Sequence, residues 1–98
     1  MIIRIVKMSF APEKVNEFLL LFNASKQQIR NFQGCSHLEL LNDAGQPNIF
    51  FTYSHWENES RLDEYRNSPL FAGVWASTKI LFNDKPQAWS LVQHTLVT

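Results

Sequence analysis

Two stretches of the chain repeat apolar residues every three or four positions, and the segments around them change character over shorter, strand-like distances. Ile2 to Ser9 is rich in β-branched residues and carries polar positions at Arg4 and Lys7, which fits a strand better than a short helix. Pro12 then sits where the first turn of a helix tolerates it, with Glu13 beside the positive end of the dipole. Val15, Phe18, Phe22, Ser25 and Ile29 follow at helical spacing and share one face. Leu19, Leu20 and Leu21 widen that face beyond a single stripe, as in a helix covered both by its own sheet and by a neighbour. Gly34 supplies the stop. Cys35 to Leu41 reads as a second strand, and Asn42 to Pro47 collects turn-forming residues that connect it to a third strand, Asn48 to Trp56. These two strands form a hairpin.

Past Trp56, Asn58 is placed to cap a helix in which Leu62 and Tyr65 or Arg66 recur at helical spacing. Ser68-Pro69 is a second start, with serine as cap and proline at the first helical position, followed by Phe71, Val74, Trp75, Thr78 and Phe82. The helical region is therefore expected to break in two. Asn83 to Pro86 ends it, and Ala88 to Val97 is expected to form the closing strand. The resulting order, βαββαβ, predicts an α+β fold in which a four-stranded antiparallel sheet carries its helices on one face. Phenylalanines on both sides of such a sheet cannot leave its second face in water, so a second copy of the chain is the natural cover.

Ninety-eight residues without repeats or low-complexity stretches predict one domain over residues 1–98. Nine basic and nine acidic residues leave no formal net charge, and the basic ones are scattered. Nucleic acid and anionic membranes are therefore not expected partners, because both select a positive patch. The apolar run in MIIRIVKMSF is interrupted by Arg4 and Lys7 and is too short for a signal peptide or a membrane span, which favours a cytoplasmic protein. Cys35 is the sole cysteine, so no internal disulfide or CxxC zinc site forms, and packing is its expected role.

Aromatic residues carry the functional signal. Ile49 to Ser90 holds all three tryptophans, both tyrosines and four of the eight phenylalanines. An aromatic wall on a small fold suits a pocket for a flat, apolar organic molecule, the simpler alternative being a packed aromatic core. His37 and His55 lie on the two hairpin strands and His94 near the C-terminus. A histidine could serve as a base near neutral pH, or be a surface or hydrogen-bonded structural residue. Strand register decides whether His37 and His55 share a face, and a one-residue slip reverses it. No HxH or HxxxH pair points to a metal. GxSxG and phosphate-binding glycine loops are absent.

The element order, the Gly34-Cys35 pair, Trp56 closing the third strand, the stretch from Tyr65-Arg66-Asn67-Ser68 to Phe71, and the Pro86 to Ser90 segment together resemble the antibiotic biosynthesis monooxygenase family. The resemblance spans nearly the whole chain. It implies a ferredoxin-like βαββαβ unit in a dimeric α+β barrel: a homodimer whose sheets face each other, with a small cavity in each subunit between sheet and helices. Characterised members are similar in oxidising polycyclic phenols or quinols with molecular oxygen and no metal or flavin, while another branch degrades haem. That branch ligates iron with a histidine where this chain has Trp75, and carries a first-strand asparagine where this chain offers Lys7 and Met8. An indole cannot ligate iron as imidazole does, so neither haem nor any other cofactor is expected.

The resemblance and the residues together favour a cofactor-independent monooxygenase acting on a small aromatic, phenolic or quinol-type substrate. His55 or His37 would serve as base, Trp75 would hydrogen-bond a substrate oxygen, and Tyr65, Trp56, Phe71 and Tyr53 would form the walls. Arg66 could hold a carboxylate or phenolate. Trp89 is assigned to the core or the dimer interface. The alternative is a non-catalytic small-ligand-binding or stress-related dimer using the same cavity; an isomerase or decarboxylase is a third possibility, since fold alone does not fix a reaction.

Overall fold

The structure is a computed structural model describing residues 1–98. Strand β1 runs Ile2–Ser9, and Pro12–Lys14 forms one 3-10 turn that leads into helix α1, Val15–Arg30. β2, Cys35–Asn42, and β3, Ile49–Trp56, make the hairpin, closed by an Asp43 side chain whose Oδ1 accepts from the Gly45 and Gln46 amides at 2.8 and 3.0 Å. Two helices follow, α2 at Glu59–Arg66 and α3 at Pro69–Lys79, before strand β4, Gln87–Leu91. The sheet is antiparallel throughout, in the order β2-β3-β1-β4. This is the ferredoxin-like α+β fold expected from the element order.

Local chemistry explains the breaks between elements. Asn58 caps α2, its Oδ1 accepting from the Arg61 amide at 2.9 Å, and Ser68 caps α3, its Oγ accepting from the Phe71 amide at 3.1 Å. Pro69 takes the first position of α3, where no amide donor is needed. Gly34 adopts φ +95°, and a β-carbon there would stand 2.5 Å from Arg61 Cβ, so glycine is required both by conformation and by the close approach of α2. In α1, Phe18, Ser25 and Ile29 are buried as the periodicity predicts, whereas Leu20 is 72% exposed and points away from the sheet. α1 is thus covered by the sheet and by α3, as expected, with Leu20 outside both contacts.

β4 is shorter than expected. Ala88 to Val97 is expected to pair, but pairing with β1 stops at Leu91, opposite Ile3. Val92, Leu96 and Val97 are 70%, 70% and 88% exposed. The pleat gives the sheet two different faces. Arg4, Val6 and Met8 of β1, Leu38 of β2, and Thr52, Ser54 and Trp56 of β3 look toward the helices. Ile3, Ile5, Phe51, Tyr53, His55, Trp89 and Leu91 alternate with them and look the other way, where no helix covers them.

The interior consists of two separate clusters. One joins Met8, Phe10, Phe18, Phe50 and Leu81; the other joins Cys35, Trp56 and Leu62. Phe10, fully buried, stacks on Phe18 with ring centroids 4.1 Å apart. At the other end Tyr65 stacks on Trp56 at 4.8 Å. A chain of ring contacts along the helical layer, Tyr65 to Phe71 to Trp75 to Phe82 to Phe10, links the two clusters without filling the space between them.

Candidate active site

That space is a cavity of about 120 Å³ between the sheet and the helices. α3 packs chiefly against α1 and α2, so it stands off the sheet and its inner face, Phe71, Val74, Trp75 and Thr78, becomes a wall. Met8, Phe18 and Phe22 close one end, and Trp56, Leu62 and Tyr65 the other. Twelve of the seventeen lining residues are hydrophobic, so a ligand's body would meet carbon on most sides. For scale, an engineered apolar cavity of about 150 Å³ takes up benzene. The enclosed space here is that of a single ring.

The polar groups of the cavity differ in whether they are already satisfied. Trp56 Nε1 donates to Ser54 Oγ at 3.0 Å and is used up. Trp75 Nε1 and the Tyr65 hydroxyl have no protein partner, yet neither is sealed away from solvent or ligand, since no fully buried side-chain polar atom lacks a partner. Burial, with a smaller contribution from Cys35, pushes the Tyr65 phenol up to about 12, so it stays protonated at neutral pH and can donate. Cys35 packs behind Trp56, where burial raises its thiol above the ordinary value despite the opposing effects of its bond to the His37 carbonyl and of Arg30.

Tyr65, Trp56, Phe71, Arg66 and Trp75, all singled out in the sequence, come together around this cavity. His37, His55 and Tyr53 do not line it. They form a cluster on the opposite face of the sheet, with ring centroids 4.8 Å apart for the two histidines and 5.7 and 5.1 Å from each to Tyr53. His37 Nε2 lies 2.6 Å from Glu39 Oε2, and His55 Nε2 lies 3.1 Å from the Tyr53 hydroxyl. For His55 and Tyr53 the cause is simple alternation from inward-facing Trp56. For His37 it is an irregularity in the pairing: Cys35 opposes Trp56, but His37 opposes His55, so an extra residue at Ser36 turns His37 outward. Regular pairing would have aimed it at the cavity. Trp89 is likewise on the outer face and 41% exposed.

The cavity therefore holds no imidazole or carboxylate side chain. No histidine lines it, and no three His, Cys, Asp or Glu side chains gather as a metal-ligand set. Arg4 is a cavity-lining residue that sequence reasoning missed. It lines the cavity from the central strand, its guanidinium depressed by burial and secondarily by Arg66. A signal was present: Arg4 and Lys7 are three apart on one strand and so must face opposite sides, and Arg4 shares its parity with Val6 and Met8.

The family model for antibiotic biosynthesis monooxygenases matches residues 1–75, three quarters of the chain and most of the cavity wall. The chain belongs to the antibiotic biosynthesis monooxygenase family. Solved structures share the fold closely at low identity. One titled as an antibiotic biosynthesis monooxygenase superposes with a TM-score of 0.91 at 17% identity, covering 97% of this chain and 100% of its own. A conserved protein from Methanosarcina mazei gives 0.87 at 23% identity over 93% and 91%. A Mycobacterium tuberculosis protein gives 0.88 at 18% identity over 99% and 98%. At these identities the likeness speaks for the fold alone. A comparison with curated proteins finds no match.

Proposed function

We propose that this member of the antibiotic biosynthesis monooxygenase family is a cofactor-independent monooxygenase that oxidises a single-ring phenol or quinol with molecular oxygen in the cavity between sheet and helices. The observation that supports it is an apolar, ring-sized space lined by Trp75 and Tyr65, whose hydrogen-bond donors have no protein partner. An electron-rich phenolate can pass an electron to oxygen, and apolar walls keep the resulting radical pair together and away from water until it collapses to a carbon–oxygen bond. The balance for a phenol is one oxygen atom into the ring, giving a quinone, and the other released as water. Trp75 and Tyr65 would steady the substrate oxygens as charge develops on them. Larger polycyclic substrates would have to extend through the cavity mouth.

In this reading the protein works as a homodimer through the uncovered sheet face, where Ile3, Ile5, Phe51, Trp89 and Leu91 form an apolar field and the His37–His55–Tyr53 cluster lies in the seam. Sedimentation or light scattering would read the dimer directly, and a monomer would remove this part. A second reading has its own support: because the cavity contains no base, the same pocket would serve a protein that binds small aromatic ligands without turnover. Oxygen uptake by metal-free protein with a panel of single-ring phenols and quinols separates the two. The enzyme reading expects uptake, incorporation of labelled oxygen into product, and a slower rate for Trp75→Phe. No uptake with any substrate, together with ligand-induced thermal stabilisation, gives the pocket to binding alone.

A further inference from the structure

The side chains that line the cavity include two guanidinium groups and no acid to balance them. Arg66 is answered by Asp63, one turn away on the exposed side of α2. Arg4 has no carboxylate within ion-pairing distance. Its one side-chain hydrogen bond runs from Nη1 to Ser90 Oγ, 2.9 Å away on the adjacent strand, where Ser90 is its direct cross-strand partner. Arg4 stands on the central strand of the sheet, paired on both sides, so its backbone is fixed and Ser90 steadies the head group. A guanidinium carries five N–H donors, which leaves four uncommitted beside an apolar space. Half-burying a cation with no counter-ion is costly, and that cost is recovered when an anion arrives. The lowered affinity of Arg4 for its proton, from burial first and Arg66 second, reflects the same imbalance.

We propose that the cavity takes its ligand as an oxyanion: an aromatic ring bearing an ionised oxygen, seated against Phe71 and Trp75 with the charged oxygen on the Arg4 guanidinium. This deepens the preceding reading and rests on the cavity being the ligand site. It also resolves how a phenol is activated where no base is present. The substrate loses its proton to solvent before or during entry, and Arg4 selects and holds the ionised form. Arg4 is then the specificity-determining residue, and neutral isosteres are poor ligands.

The test uses benzoate and its uncharged isostere benzamide as inert single-ring probes, with binding followed by calorimetry and by NMR shifts of Trp75 and Phe71. Benzoate should bind about tenfold or more tighter than benzamide, the scale of a hydrogen bond to a charged group. Arg4→Gln should abolish that preference, Arg4→Lys should restore part of it, and Arg66→Gln should leave most of it, each variant first confirmed as folded by circular dichroism. Equal binding of the two probes by the unmodified protein, or a preference that survives Arg4→Gln or disappears with Arg66→Gln, overturns the assignment. Binding of neither probe refutes the cavity as a ligand site and this inference with it. A phenol that reports its own ionisation by colour, para-nitrophenol, checks the second source of the charge. It should be bound as phenolate at a pH where the free compound is largely neutral, and uptake in the neutral form counts against the proposal.

Discussion

Tyr65 should make the stability of this protein fall in strong alkali, between about pH 10 and pH 12. Its ring stacks on Trp56 at 4.8 Å and meets Phe32 and Phe71 edge-on at 5.4 and 5.2 Å, an environment that cannot solvate a phenolate. The phenol is accordingly raised from 10 to about 12 in the folded chain. The folded state thus holds this proton more tightly than the unfolded one. Its contribution is complete below the unfolded value, near pH 10, and is lost as pH rises toward about 12. A two-unit gap at about 1.4 kcal/mol per unit amounts to about 3 kcal/mol, a large part of the net stability of a small domain. Urea unfolding from about pH 8 upward, on the unmodified protein and on Tyr65→Phe, isolates this group from others that ionise in the same range. The difference in stability between the two should change by about 3 kcal/mol across the window, with the unmodified protein losing the more. Parallel curves would show that the hydroxyl is well hydrated in the folded state and would refute the desolvation argued from its aromatic surroundings.

Gly34→Ala should lower the urea midpoint by the equivalent of about 2 kcal/mol or more, because the residue must hold φ +95° with Arg61 Cβ only 2.5 Å from the new atom; an unchanged midpoint would show that α2 yields easily. Phe10→Ala, at a fully buried ring in contact with Phe18, Phe50 and Phe82, should cost about 3–5 kcal/mol in the same assay. Ser68→Ala removes the cap of α3 and should cost about 1 kcal/mol, read by denaturation and by faster amide exchange at Phe71. Val74→Phe should place a ring in the cavity, abolishing ligand-induced thermal stabilisation without lowering the melting temperature of the free protein; a ligand shift that persists would place the binding site elsewhere.

The elements that could be read in advance are those governed by neighbouring residues. Helical spacing from Val15 to Ile29, the caps at Asn58 and Ser68, and the turn around Asp43 act over a few positions and stand where expected. The length of β4 depends instead on its pairing with β1, which is a property of register between distant segments. Register also governs the histidines. One additional residue at Ser36 decides that His37 joins His55 on the outer face, and nothing in the side chains of that strand announces it. The aromatic walls at Tyr65, Phe71 and Trp75 were legible as types and spacing, but the space beside them was not, because it exists only where two packed groups fail to meet. Arg4 was within reach through the parity it shares with Val6 and Met8 on β1.

The division of the interior has an evolutionary consequence. Each half coheres through its own contacts, Met8 with Phe10, Phe18, Phe50 and Leu81 on one side, Cys35 with Trp56 and Leu62 on the other. Residues bordering the gap, such as Leu38 and Val74, are therefore released from the strict volume matching that governs a continuous interior. They can drift, and with them the shape of the cavity, while the backbone stays in place. A TM-score of 0.91 at 17% identity shows one architecture retained through wide divergence of sequence.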